Sequence, residues 1–196
     1  RLAGAKDAAG VQRELYDIYV LPFQKDEDRA AVREMIHSVI PDRYAEPEIK
    51  ISVGSDRMGA GHAALEIASP DAAEQALEAF PPVQSRLSTL ASVARAVEMR
   101  ENVLLESDSD VEPEDYADFF ATLTGTPLTT VHLSRGMHTS DVLGGLKPAG
   151  EKELAWVDGP LTRAIRQGEM ILIRGLEAAG PELIEKLNML LDDARA

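Results

Sequence analysis

The chain has 196 residues, 44 % of them hydrophobic and 28 % charged, the balance of a globular protein with room for one full domain and part of another. It has no cysteine, which excludes disulfides, thiolate metal sites and cysteine nucleophiles. A formal net charge of −14 argues against wrapping a nucleic-acid backbone, and no apolar run approaches the roughly 18 to 20 residues of a membrane span. The acidity is read as keeping a large assembly in solution, with protein as the expected partner. The sequence starts at Arg1 and stops at Ala196 directly after a strong helical pattern, so it reads as a piece of something longer.

Residues 16–20 alternate and are rich in β-formers before Pro22, which predicts a short strand. Residues 26–40 then place Val32, Met35, Ile36, Val39 and Ile40 on one helical face, with acids in the first turn and Pro41 as the stop. Ile49, Ile51 and Val53 alternate, as do Leu65 and Ile67, with glycines at 54, 59 and 61 between them; a hairpin with a loose turn is expected. Ser69-Pro70 is a helix-start signal leading into residues 71–80. A longer helix over 83–98 aligns Val83, Leu87, Leu90, Ala91, Ala94 and Val97.

From residue 102 the order becomes regular. A short buried strand is expected over 102–105, a helix over 114–123 with Tyr116, Phe119, Phe120 and Leu123 inward, and a strand over 129–133, together a β-α-β unit. Asp158-Gly-Pro160 opens a helix that buries Leu161, Ala164 and Ile165 and ends at Gly168. Residues 170–173 read as a third buried strand, and Pro181 starts a helix with Leu183, Ile184, Leu187, Leu190 and Leu191 inward. Strands alternating with helices call for a parallel sheet covered on both faces, so the second half is α/β, after a smaller, mostly helical first part.

Three features of residues 100–195 carry a resemblance: Asn102-Val-Leu-Leu-Glu106, Ser140-Asp-Val-Leu-Gly-Gly145, and Trp156-Val-Asp-Gly-Pro-Leu-Thr-Arg-Ala-Ile-Arg-Gln-Gly168 running into a hydrophobic strand. Leu187-Asn-Met-Leu-Leu-Asp-Asp-Ala-Arg195 adds to it. The stretch resembles the dynein-related, MoxR branch of the AAA+ ATPases, in particular its midasin-like tandem-module members. Residues 16–40 are similar to the last strand of a preceding module and the first helix of its lid. The resemblance implies a P-loop NTPase (AAA+) α/β fold with a parallel sheet flanked by helices. It also implies a division into residues 1–70, the end of one module with its lid-like segment, and 71–196, a core module incomplete at its C-terminus.

A P-loop needs glycines so that backbone N–H groups can approach phosphates, a Lys for the β and γ phosphates, and a hydroxyl for Mg²⁺. Laid on the family pattern without gaps, those places hold Ser107, Asp110, Glu112, Pro113 and Glu114, the last three at the second glycine, the Lys and the Ser/Thr. Pro113 removes a donor, and Asp108, Asp110, Glu112 and Glu114 bring carboxylates to where a polyanion would sit. Two like unit charges about 4 Å apart cost roughly 4 kcal/mol at an effective dielectric near 20. The second nucleotide motif is lost too: after residues 170–173 the family has Asp-Glu, for Mg²⁺ and for water, where this chain has Arg174 and Gly175. Arg13 lies near the expected place of an arginine finger, out of register. Residues 108–115 equally suit an acidic helix start at the positive end of the helix dipole.

Other constellations are weaker. Asp108, Asp110 and Glu112 have the first spacings of a calcium loop, but its sixth and twelfth positions are Pro113 and Phe119. Residues 54–61 look like a phosphate loop without its Lys-Ser/Thr ending and read as a mobile hairpin turn. His37, His62, His132 and His138 lack metal-ligand spacing. Trp156 is expected in the core beside Leu161, and Arg135, Lys147 and Arg163 as solvated charges rather than contacts to a neighbouring nucleotide.

The expectation is therefore a module with no catalytic residues, no bound cofactor and no metal of its own, next to AAA+ modules of the same chain that use Mg-ATP. The resemblance implies a nuclear and nucleolar machine that removes assembly factors from pre-60S ribosomal particles, without direct nucleic-acid or membrane contact from this part. The alternative is a non-catalytic scaffold or interaction domain of another multi-module MoxR-type protein, in which case a cytoplasmic location is expected.

Overall fold

The computed structural model describes residues 8–20, 25–40, 49–61, 63–81, 83–106, 113–150 and 153–191. The chain divides into two compact units, Arg1–Ile49 and Lys50–Ala196.

The first unit holds two helices, α1 (Ala8–Tyr19) and α2 (Asp26–Val39). The strand expected over 16–20 is instead the last turn of α1. Val11, Leu15 and Ile18, at i, i+4 and i+7, form a half-buried helical stripe that outweighs the five-residue alternation, and no described strand lies beside it. The preceding-module strand implied by the resemblance is thus absent at residues 16–20. Arg33 ties the two helices, donating to the Tyr16 hydroxyl while its guanidinium lies 5.2 Å from the centre of that ring. Of the face expected to point inward on α2, Val32, Ile36 and Ile40 are half-buried, but Met35 and Val39 are 66 % and 78 % exposed.

The second unit begins with an antiparallel meander, β1 (Ile51–Val53), β2 (Arg57–Ala60) and β3 (Ala63–Glu66), in which Met58 faces Leu65 across β2 and β3. The turn expected over 54–61 is therefore half strand. Only Met58 is a large apolar residue there, so the sequence signal is faint, yet Met58 and Ala60 alternate inward with exposed Arg57 and are buried. Next comes α3 (Pro70–Ala79), whose Ser69 cap accepts from the Ala72 amide at 3.1 Å, as the Ser-Pro signal predicts. It is followed by α4 (Gln84–Glu98) and α5 (Pro113–Thr124).

One core joins these pieces: Met58 and Leu65 from the meander, Ala73, Ala76 and Phe80 from α3, Leu90 and Ala94 from α4, and Tyr116, Phe119, Phe120 and Leu123 from α5. Phe80 meets Tyr116 edge-on at 5.0 Å, and Phe119 meets Phe120 edge-on at 5.1 Å. Because the meander is buried in this core, the compact unit starts at Lys50, whereas the sequence division was placed after residue 70.

Residues 101–106 join no ladder, and Val103 and Leu104 are exposed, so the buried strand expected over 102–105 does not form among the described residues. The parallel pair lies further on. The strands β4 (Leu128–His132) and β7 (Met170–Arg174) run parallel, with Val131 opposite Ile173 and His132 opposite Arg174. Between them come α6 (Thr139–Val142), the antiparallel hairpin β5 (Gly144–Pro148) and β6 (Leu154–Asp158), and α7 (Pro160–Gln167), which ends at Gly168 in the left-handed region. After β7 a 3-10 turn (Leu176–Ala178) leads into α8 (Pro181–Leu191).

A second core gathers Val131, Leu133, Val142, Leu161, Leu183 and Leu187, with Ile171 and Ile173 packed on it, while Met170 packs on the first core. Successive residues of β7 thus serve opposite faces of the sheet, the arrangement of an α/β fold with a parallel pair packed on both sides. Three details differ from the sequence reading. β7 is half-buried rather than buried, Ile165 and Leu191 are exposed, and Trp156 is 56 % exposed, its indole N–H donating to Asp158 at 2.7 Å instead of packing on Leu161. On a two-stranded hairpin only one neighbour can cover a side chain, and Leu146 and Leu154 beside Trp156 are exposed as well.

Phe120, fully buried where α5 meets the first core, is the side chain whose loss is expected to cost most. Phe120→Ala should lower unfolding free energy by about 3 to 5 kcal/mol, read from urea denaturation of the 196-residue chain.

Candidate functional site

In open parallel sheets ligands bind beyond the carboxyl ends of the strands, and anions favour a helix N-terminus placed there. In this chain that place is bounded by the ends of β4 and β7 and by the first turn of α5. The loop residues Ser107, Asp108, Asp110 and Glu112 lie outside the described residues, so the structure speaks for Pro113, Glu114, Arg174 and Gly175.

Pro113 is the first residue of α5, where its fixed φ suits the helix and its missing N–H leaves one donor fewer at the helix mouth. Glu114 and Asp115 fill the rest of the first turn with negative charge, which the helix dipole favours. On β7 the alternation that points Met170 toward the α5 side points Arg174 the same way. Its guanidinium reaches Glu114, Nη1 to Oε2 at 2.5 Å, with both side chains about one third exposed. The two places that the sequence resemblance sets against the hydroxyl and the aspartate of a magnesium corner are thus joined by an ion pair. Read from the sequence, these positions were two separate departures from the family pattern; their opposite charges were the available signal that they meet.

Gly175 has a positive reason to be glycine. Its φ is +74°, and a Cβ there would stand 2.5 Å from the Leu133 carbonyl oxygen. The same strand end is fixed from the other side, where the Leu133 amide donates to the Arg174 carbonyl at 2.8 Å. A general base at position 175 would thus need both a left-handed backbone and space that Leu133 occupies.

The other motif segments meet as a packing joint. A Cβ on Gly159 would lie 2.2 Å from the Val142 carbonyl oxygen, the Gly159 amide donates to Leu143 at 3.0 Å, and the Thr162 hydroxyl donates to the same Leu143 carbonyl at 2.6 Å. The 140–145 and 156–168 motifs are therefore in backbone contact. Asp158, at their junction, accepts from Trp156 and pairs with Arg166 at 3.1 Å. The His138 amide, at the start of α6, donates to the Asp141 carboxylate at 2.9 Å, and His37 and His132 are exposed. His62 lies outside the described residues. Among the described residues no group of three or more His, Asp or Glu is placed to hold a metal. Arg135, Lys147 and Arg163 are exposed, and the side chain of Arg13 lies outside the description. Tyr116 has its pKa raised by burial, against the lowering effects of a hydrogen bond with Thr89 and of nearby Arg86, which marks it as a core residue beside the site.

Gly175→Ala is expected to destabilise the chain by about 1 to 3 kcal/mol through backbone strain and the approach to Leu133, measured by denaturant unfolding.

Residues 115–196 match the family model of the AAA domain, dynein-related subfamily. Over 104 residues, 53 % of this chain, the sequence is 36 % identical to midasin of Giardia intestinalis, of which it covers 2 %. Over 113 residues it is 28 % identical to uncharacterised proteins of Staphylococcus aureus, among them those of strains USA300 and COL, covering 55 % of this chain and 43 % of each relative. The chain thus spans less than half the length of these curated relatives. No helix among the described residues is long and apolar enough to cross a membrane. The part of the chain that holds β4, β7 and the Glu114–Arg174 pair has the α/β fold of an AAA+ P-loop domain, and its residues 115–196 carry the likeness to the dynein-related branch of that superfamily.

Proposed function

We propose that this chain supplies a nucleotide-incompetent AAA+ module to a midasin-like, multi-module ATPase. The module contributes shape, contacts and force transmission while adjacent modules of the same chain bind and hydrolyse Mg-ATP. The observation that carries the reading is that Arg174 is engaged with Glu114 instead of being a carboxylate free to hold Mg²⁺. Two further observations support it. Gly175 is held by its own backbone geometry, so no general base follows the strand, and Pro113 leaves the mouth of α5 one amide short. With Glu114 and Asp115 in the same turn, a triphosphate would meet like charge where a phosphate loop offers donors.

The likeness to midasin supports extending the reading to the whole machine. On that extension the parent protein is nuclear and nucleolar and remodels pre-60S particles by removing assembly factors. This module then touches neighbouring modules and assembly factors rather than RNA, in keeping with the net charge of −14. A second reading, a non-catalytic scaffold domain of another multi-module MoxR-type protein, draws on the bacterial relatives, which match a similar length of the chain. Active nucleotide motifs in the parent chain outside these residues favour the ring motor; their absence throughout favours the scaffold.

Isothermal titration of the 196-residue chain with Mg-ATP should give no binding heat, corresponding to a Kd weaker than about 1 mM. Saturable binding in the micromolar range would overturn the reading.

A further inference from the structure

We propose that the Glu114–Arg174 pair is a tether that performs, inside the chain, the bridging that a bound ligand performs at the mouth of an open parallel sheet. It fastens the first turn of α5 to the end of β7, so that the two keep one arrangement whatever nucleotide is present. This inference rests on the nucleotide-incompetent reading and says what takes the ligand's place.

The argument begins with what each partner is attached to. Glu114 sits in the first turn of a helix anchored through Tyr116, Phe119, Phe120 and Leu123, so its Cα has little freedom. Arg174 is the last residue of β7, paired in register with His132; its carbonyl accepts from Leu133, and the next residue turns sharply in the left-handed region. Two long side chains rooted on rigid supports lose less entropy on pairing than two on a mobile surface, and a planar guanidinium suits a carboxylate. Glu114 gains in addition from the helix dipole.

Next comes what the pair connects. Arg174 and Met170 point to the α5 side of the sheet, whereas Ile171 and Ile173 pack on the second core. The pair therefore links the helix of the first core to the strand that the second core holds from behind. In a ligand-binding P-loop that linkage at the strand end runs through the metal and the phosphates. Pro113 and the acidic turn make such a linkage unfavourable here, and the ion pair makes it in a form that does not come and go with hydrolysis.

The test is a double-mutant cycle on the 196-residue chain with Glu114→Gln, Arg174→Gln and both together, followed by thermal melting and amide hydrogen exchange. Each single variant is expected to melt roughly 2 to 4 °C lower, with the double variant melting no lower than the worse single. In Arg174→Gln the amides of residues 117–119, on a different element from the substitution, should exchange about tenfold faster. Additive losses in the double variant, or unchanged exchange at 117–119, would overturn the tether. Should a single variant fail to fold, the charge-reversed pair Glu114→Arg with Arg174→Glu decides when set against Glu114→Arg alone, which carries the same helix-dipole cost: melting above it supports the tether, and melting at or below it overturns the idea. Mg-ATP titrated into the unaltered chain separates the two readings. Micromolar binding alongside a coupled cycle sinks nucleotide incompetence and leaves a salt bridge that ligand shares, whereas no binding alongside an additive cycle sinks the tether alone.

Discussion

The burial of one face of α5 is the constraint on which the second unit depends. Tyr116, Phe119, Phe120 and Leu123 sit in a single core with the meander, α3 and α4, and Met170 brings the start of β7 into the same core. Large aromatic side chains dominate such an interface because each removes a large apolar area from water and adds edge-on contacts to its neighbours. Once that face is fixed, the N-terminal turn of α5 has one place to be, and so has Glu114. The acidic first turn of the helix, Glu114 and Asp115, then follows from position as much as from partner: carboxylates at a helix start are stabilised by the backbone dipole even where no ligand comes.

How far the sequence carried these conclusions differs by region, for physical reasons. Elements with a full helical period and clear punctuation were legible: Ser69-Pro70 announced α3, Gly168 closed α7, and the aromatic spacing of α5 gave its buried face. Residues 16–20 were misread because five alternating residues suit a strand and also fall on a helical stripe that starts at Val11. β2 was hidden because small residues and glycine fill it; only the ladder shows that Met58 and Ala60 point inward. Residues 102–105 have strand composition and no ladder among the described residues, since composition sets a preference while hydrogen bonding requires a neighbour. Trp156 went the other way, a large apolar ring on a hairpin too narrow to cover it.

The candidate site was legible as a set of positions but not as an arrangement. Pro113, Glu114, Arg174 and Gly175 could each be read against a nucleotide-binding pattern and found unsuited to it. That Glu114 and Arg174 meet, across about sixty residues of intervening chain, is long-range information that one sequence does not hold. The reason for Gly175 was equally out of reach, because the Leu133 carbonyl that crowds it belongs to the segment after β4. The motifs at 140–145 and 156–168 show the same thing in reverse. They were recognised as patterns, and their meaning became physical only when Gly159 was found against Val142.

The ion pair also bears on how such a domain can change over generations. A carboxylate placed at 174 by one substitution would face Glu114 and be repelled by it, while a hydroxyl placed at 114 alone would remove the carboxylate that pairs with Arg174. A carboxylate side chain at 175 would strike Leu133 before it reached any water. A substitution at any one of these three positions therefore bears on the others, because Glu114, Arg174 and the turn at Gly175 are coupled through one ion pair and one close backbone approach.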